Sequence, residues 1–212
     1  LISGLIVGIV ALPLAIAFYY FNSENKSNIL FITIGVLTGA LVTACKAFFS
    51  FSHRIIPYSF SDNFLFLLFK ESLIPVVIIY AVFFLISKDS KDFKADAFFP
   101  LISSFYAVYL PYIIISSTVG KSIYPVFIKP LVFLSMFYTL AICVKFIFGE
   151  NTSPLKIVIS SLVALIYASV PAVLETIWLM NLGTILWVSC SAAYILLPFA
   201  VSVFLFSGKR KA

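Results

Sequence analysis

The sequence predicts an all-α, polytopic integral membrane protein, a single bundle of about seven helices, and three observations predict it. Hydrophobic residues make up 63% of the 212 positions. Only 10% are charged, against about 25% in an ordinary soluble domain. The apolar residues also fall in long runs divided by short polar stretches. A mean hydropathy of +1.16 means more apolar surface than one soluble core of this length can hide, whereas a bilayer takes it.

Each run approaches the roughly 20 residues that a helix needs to cross the hydrocarbon, where the backbone must satisfy its own hydrogen bonds. The first, 1–21, lacks a basic start and a small-residue cleavage site, so it reads as a spanning helix and not a signal peptide. The polar stretch NSENKSN leads to 29–51, and SHRIIPYSFSDN leads to 64–86. After SKDSKDFKAD comes 97–117, and after TVGKSIYP comes 126–148. GENTSPLK opens 155–174, and ETIWLMNLG separates it from 183–206. Pro171 and the 175–181 stretch suggest a broken helix there. No repeat or domain boundary interrupts 1–212.

The formal net charge is +6, but its lysines and arginines are scattered through short loops and form no basic face. This excludes nucleic acid as a partner and points to membrane orientation and anionic lipid. Lys26, Lys88, Lys91, Lys94, Lys145, Lys156, Lys209, Arg210 and Lys211 gather on one side of a seven-span topology. Arg54 and Lys121 fall in loops of the other side, with Lys46, Lys70 and Lys129 near helix ends. The bias sets the N-terminus outside a cell membrane and the C-terminus in the cytoplasm. Stripes of small residues mark helix contacts: Gly4 and Gly8; Gly35, Gly39 and Thr43; Ser160, Ala164, Ala168 and Ala172.

Catalytic chemistry is poorly supplied. Cys45, Cys143 and Cys190 sit in separate apolar runs, and the single histidine, His53, is in a loop beside Arg54. No zinc-ligand spacing, nucleophile elbow or phosphate loop occurs, so no metal and no cofactor are expected. The informative residues are charges inside apolar runs, where they are costly and usually face protein or water. Lys46 and Lys129 are expected to snorkel, and Glu175, beside Trp178, to lie at an interface. Lys70 and Glu71, adjacent in LFLLFKESLIPVV, predict an interior polar pocket.

Several segments, taken in order, resemble the PrsW family of intramembrane proteases, relatives of the CAAX prenyl endopeptidases. ISGLIVGIVALPLAIAFYYFNSE is similar to that family's first helix and polar loop, and FLFLLFKESLIPVVIIY stands where it has a Glu-Glu-x-x-Lys helix. KADAFFPLISSFYAVYLPYI resembles its Asp-containing entry to the next helix, SIYPVFIKPLVFLSMFYTLA its histidine-bearing segment, and YILLPFAVSVFLFSGKRKA its last helix and basic tail. The resemblance implies a PrsW-like bundle with carboxylates and histidines that activate water for peptide hydrolysis.

The departures alter that implication. The family's first glutamate is Lys70, its second is Glu71, and its lysine is Ile74. Its Glu-Asn pair falls on Tyr112 and Ile113, one histidine on Lys129, and another near Ser169, leaving Glu71 and Asp96. A general base must take a proton beside bound water, and one glutamate among lysines is a poor version of that site. The expectation is a pseudoprotease that binds or scaffolds a membrane protein or transmembrane segment. An active endopeptidase using Glu71 and a membrane subunit of a transporter or small-molecule-binding complex stay open. Within the pocket, Glu71 is expected to pair with Lys129 across the third and fifth spans, with Lys70 turned to the interface.

Overall fold

In a computed structural model of the chain, residues 2–22, 26–49, 59–88, 97–117, 127–148 and 153–207 are described. Every regular element among them is helical. The order is α1 (Ile2–Phe21), α2 (Lys26–Phe49), α3 (Phe60–Leu67), a π-helical turn (Leu68–Leu73), α4 (Ile74–Lys88), α5 (Phe98–Ser117), α6 (Lys129–Phe148), α7 (Pro154–Leu179) and α8 (Thr184–Ser207). Among the described residues, five helices are long and apolar enough to cross a membrane: Asn28–Phe48, Phe60–Ile86, Phe98–Ile115, Lys129–Ile147 and Pro154–Leu179. Shorter apolar helices cover Ile9–Phe21 and Thr184–Pro198. This is the architecture of a helical membrane protein.

The core lies along α5 and α6. About two thirds of the apolar window of each is buried, 67% and 61%, against 28% for the other three long helices. Aromatic rings fill it, with Phe83 edge-on to Phe98 at 4.9 Å and Phe105 tilted against Tyr109 at 5.2 Å. The outer helices show apolar side chains to the exterior, as Leu155, Val158, Leu162 and Ile166 do on α7. Such a face suits lipid.

Small residues let α2 approach α5 closely. A Cβ added at Gly35 would stand 2.0 Å from Ser104 Oγ and 2.3 Å from the Leu101 carbonyl oxygen. At Gly39 it would meet the Phe105 carbonyl oxygen at 2.9 Å. Thr43, further along the stripe, keeps a buried hydroxyl without a hydrogen-bond partner. On α7, Ala168 and Ala172 are buried. Gly4 and Gly8 precede Ile9, where the described side chains of α1 begin.

Prolines explain two local features. Pro75 has no N–H for the Glu71 carbonyl, and its ring would crowd that oxygen in a regular helix. The chain answers with the π-helical turn just before it, in which the Ile74 N–H reaches the Phe69 carbonyl. The buried face consequently steps Asn63, Leu67, Ser72, Val76, Ile79, Phe83, with a step of five from Leu67 to Ser72.

Pro171 does not break α7, contrary to the sequence expectation; the helix runs on to Leu179. The carbonyl it leaves without a donor, Tyr167, accepts a 2.6 Å hydrogen bond from the Tyr194 hydroxyl of α8. Pro198 in α8 likewise frees the Tyr194 carbonyl, which accepts from the Tyr167 hydroxyl at 2.8 Å and from Ser135 Oγ at 2.8 Å. The helix ends instead at a left-handed Asn181, φ 56°. There the Leu182 N–H reaches the Ile177 carbonyl, and the Asn181 N–H reaches Trp178.

Candidate functional site

Four charged side chains from four elements meet inside the bundle. Lys46 lies in the last turn of α2, Glu71 in the π-helical turn, Lys129 at the first residue of α6 and Glu175 in the last turn of α7. The Lys46 Nζ is 2.9 Å from Glu71 Oε2. The Lys129 Nζ is 3.6 Å from the same oxygen and 2.7 Å from Glu175 Oε1. The result is a chain of alternating sign in which Glu71 and Lys129 each have two counter-ions.

Alternation is what makes the cluster tolerable. Removing any of these ions from water costs several kcal/mol, which is offset only by close, well-bonded partners. None of the four side chains is more than 13% exposed. The Lys129–Glu175 pair has a further reason to form. A cation at a helix N-terminus and an anion at a C-terminus each oppose their own helix dipole, and pairing neutralises both. Lys46, at a C-terminus, agrees with its dipole. Its ammonium also donates to the Tyr109 hydroxyl and lies 4.9 Å from the Tyr109 ring centre. Tyr109, fully buried, ties the cluster to the aromatic core.

The predicted site residues separate into two groups. Glu71 and Lys129 come together, but the nearer partner of Lys129 is Glu175 and the nearer partner of Glu71 is Lys46. Tyr112 adjoins the cluster through its ring, stacked on Tyr109 at 6.4 Å between centres. Lys70 stands apart, with its ammonium 5.2 Å from the centre of the Phe66 ring. Ser169 spends its hydroxyl on the Ile166 carbonyl of its own helix, 2.7 Å away. Asp96, His53 and Arg54 lie outside the described residues, as do the loop lysines 91 and 94 and the basic tail.

Three sequence expectations are corrected. Lys46 and Lys129 do not snorkel free, and Glu175 is not an interfacial residue; each is at most 9% exposed and ion-paired. The signal that could have found them is charge balance. Glu71 lies within an apolar run and Glu175 directly follows one, and Lys46 and Lys129 supply their counter-charges.

As chemistry, the cluster is poised for holding and not for proton transfer to water. One Glu71 oxygen already faces two ammonium groups. Among the described residues no three His, Cys, Asp or Glu side chains converge as a metal site would need. No protein-family model matches the chain, and no curated protein or solved structure matches it.

Proposed function

We propose that this chain is a PrsW-like membrane protein without protease activity, a pseudoprotease that binds a transmembrane segment of a membrane partner. The observation that carries the reading is the meeting of Glu71 and Lys129. They are 58 positions apart and correspond, in the resemblance, to a catalytic glutamate and a histidine, yet they lie 3.6 Å from each other. A family-like pocket would bring these positions together. Here they are occupied by ion pairs that compete with water activation. A cleft of about 340 Å³ between α4, α6 and α7 opens to the side of the bundle, with Val77, Tyr80, Leu140, Ala164 and Ala168 among its walls. Ala164 at its rim suits the close approach of another helix.

In this reading α3, the π-helical turn and α4 form one span, and α1 and α8 complete a seven-span protein. The N-terminus is outside and the C-terminus cytoplasmic. Cysteine-accessibility labelling should then find 88–94 and 209–211 on one face. Labelling on opposite faces would overturn the count.

The functional test is photo-crosslinking from Val77 in native membranes, with mass spectrometry of the product and of new peptide termini. The expected product is a crosslink to a membrane-spanning segment with no cleavage. Turnover that is abolished by Glu71→Gln, with the protein still folded, would show an active protease instead.

A further inference from the structure

Among the described residues, Lys70 is the one charge of this region that the cluster leaves over. Lys46, Lys70 and Lys129 face Glu71 and Glu175, so the group carries one surplus positive charge. Lys70 forms no salt bridge with any described residue and rests over the Phe66 ring. Beside it is a cleft of about 530 Å³ whose walls are Cys45, Lys46, Leu65, Phe66, Phe69 and Ile74. Phe69 and Ile74 are 56% and 51% exposed, so the cleft opens sideways, toward the lipid of a membrane.

Depth decides what anion could reach it. Glu71, next to Lys70, is level with Lys46, three residues before the end of α2, with Lys129, the first residue of α6, and with Glu175, four residues before the end of α7. α7 thus stops within about one turn of this level, and the described parts of α2 and α6 reach no more than about one turn beyond it. The helix from Phe60 to Ile86 has 27 residues, about 40 Å at 1.5 Å each, against a hydrocarbon core of about 30 Å. With that excess placed at its first turns, on the side where α7 and those described parts end, the Lys70 backbone lies about 5 Å inside the core, within reach of the headgroups for a lysine side chain. Helical side chains lean toward the N-terminus, and the contact with Phe66 shows Lys70 doing so, toward the membrane surface. From Phe66 to Ile74 the apolar wall runs about 12 Å in the opposite direction, toward the bilayer centre.

We infer that this cleft binds one anionic phospholipid, its singly charged phosphodiester on Lys70 and an acyl chain along Phe69 and Ile74. One surplus cation matches one phosphodiester, and the polar and apolar ends of the cleft run in the order of a lipid in its leaflet. The site does not depend on the pseudoprotease reading.

The test uses Cys45, an exposed thiol on the cleft wall, as reporter. In the full chain with Cys143→Ser and Cys190→Ser, maleimide labelling of Cys45 is timed in nanodiscs of phosphatidylcholine alone, with phosphatidylglycerol, or with oleate. Phosphatidylglycerol should slow labelling, and its affinity by native mass spectrometry should fall about fivefold in Lys70→Gln, the worth of one lysine at an anionic surface. Lys70→Arg should keep both effects. Ile74→Trp, which fills the chain end of the cleft and leaves the cation, should exclude the lipid. Equal protection by phosphatidylcholine, protection by oleate and not by phosphatidylglycerol, or an undiminished affinity in Lys70→Gln would each overturn the proposal.

Discussion

Two polar networks hold this apolar bundle together, and they answer different problems. The Tyr167–Tyr194 clasp between α7 and α8 is neutral. Each hydroxyl donates to the other residue's carbonyl, and those carbonyls are the ones that Pro171 and Pro198 leave without helical donors. The chain from Lys46 through Glu71 and Lys129 to Glu175 is charged, repairs no backbone defect and joins α2, the π-helical turn, α6 and α7. Loss of one hydroxyl strands one carbonyl. Loss of one inner ion strands charges on both sides. The clasp should therefore fail by increments and the charged chain by large steps, although both are buried and similar in bond length.

The largest step should come from Lys129→Met. It leaves Glu175 without a cation and Glu71 with Lys46 alone. Stranding a buried charge costs about 3–5 kcal/mol, and the loss should appear in reversible unfolding in detergent or bicelles. Adding Glu175→Gln should recover most of it, since both ends of the shortest pair are then neutral. Losses that simply add in the double variant would mean that the two residues are independent, and the chain of alternating sign would not exist.

Lys46→Met is the next step down. Glu71 keeps Lys129 at 3.6 Å, so what is lost is a hydrogen bond to a charged group, roughly 1.5–3 kcal/mol. A cost as large as that of Lys129→Met would place Lys46, and not Lys129, at the centre of the network.

The two networks were not equally legible in the sequence. Long apolar runs located the helices, because a bilayer imposes a length that hydropathy reports directly. Glu71 stood out as a charge in mid-run, and the resemblance marked both it and Lys129. Lys46, Lys129 and Glu175 were misread from hydropathy because each lies about a turn from a helix end, where a one-dimensional pattern cannot separate a snorkelling side chain from one turned inward. Packing made the difference: Tyr109 holds Lys46 inside, and Lys129 and Glu175, on different helices, hold each other. Pro171 was misread for the same reason. A proline in a run signals a break unless another helix supplies the missing donor, and that donor, Tyr194, is 27 positions from the carbonyl it satisfies. The Gly35–Gly39 stripe was legible as a contact, while its partner α5 was not, since small residues announce proximity without naming the neighbour.

The smallest effects belong to the clasp, and they test its cause. Tyr194→Phe keeps the ring that stacks on Tyr167 at 4.3 Å and removes only the donor to the Tyr167 carbonyl. Hydrogen bonds within membrane bundles are worth about 0.6 kcal/mol on average and up to about 1.7, so a loss of about 1 kcal/mol is expected. Tyr167→Phe should cost less, because the Tyr194 carbonyl still accepts from Ser135 Oγ. The decisive background is Pro171→Ala. It restores a backbone N–H to the Tyr167 carbonyl, so the hydroxyl of Tyr194 no longer answers an unmet acceptor. In that background Tyr194→Phe should become close to neutral, with a coupling energy near the whole of its original cost. If Tyr194→Phe costs the same with Ala at 171 as with Pro, the clasp is ordinary interhelical bonding, and the prolines are not why it is there.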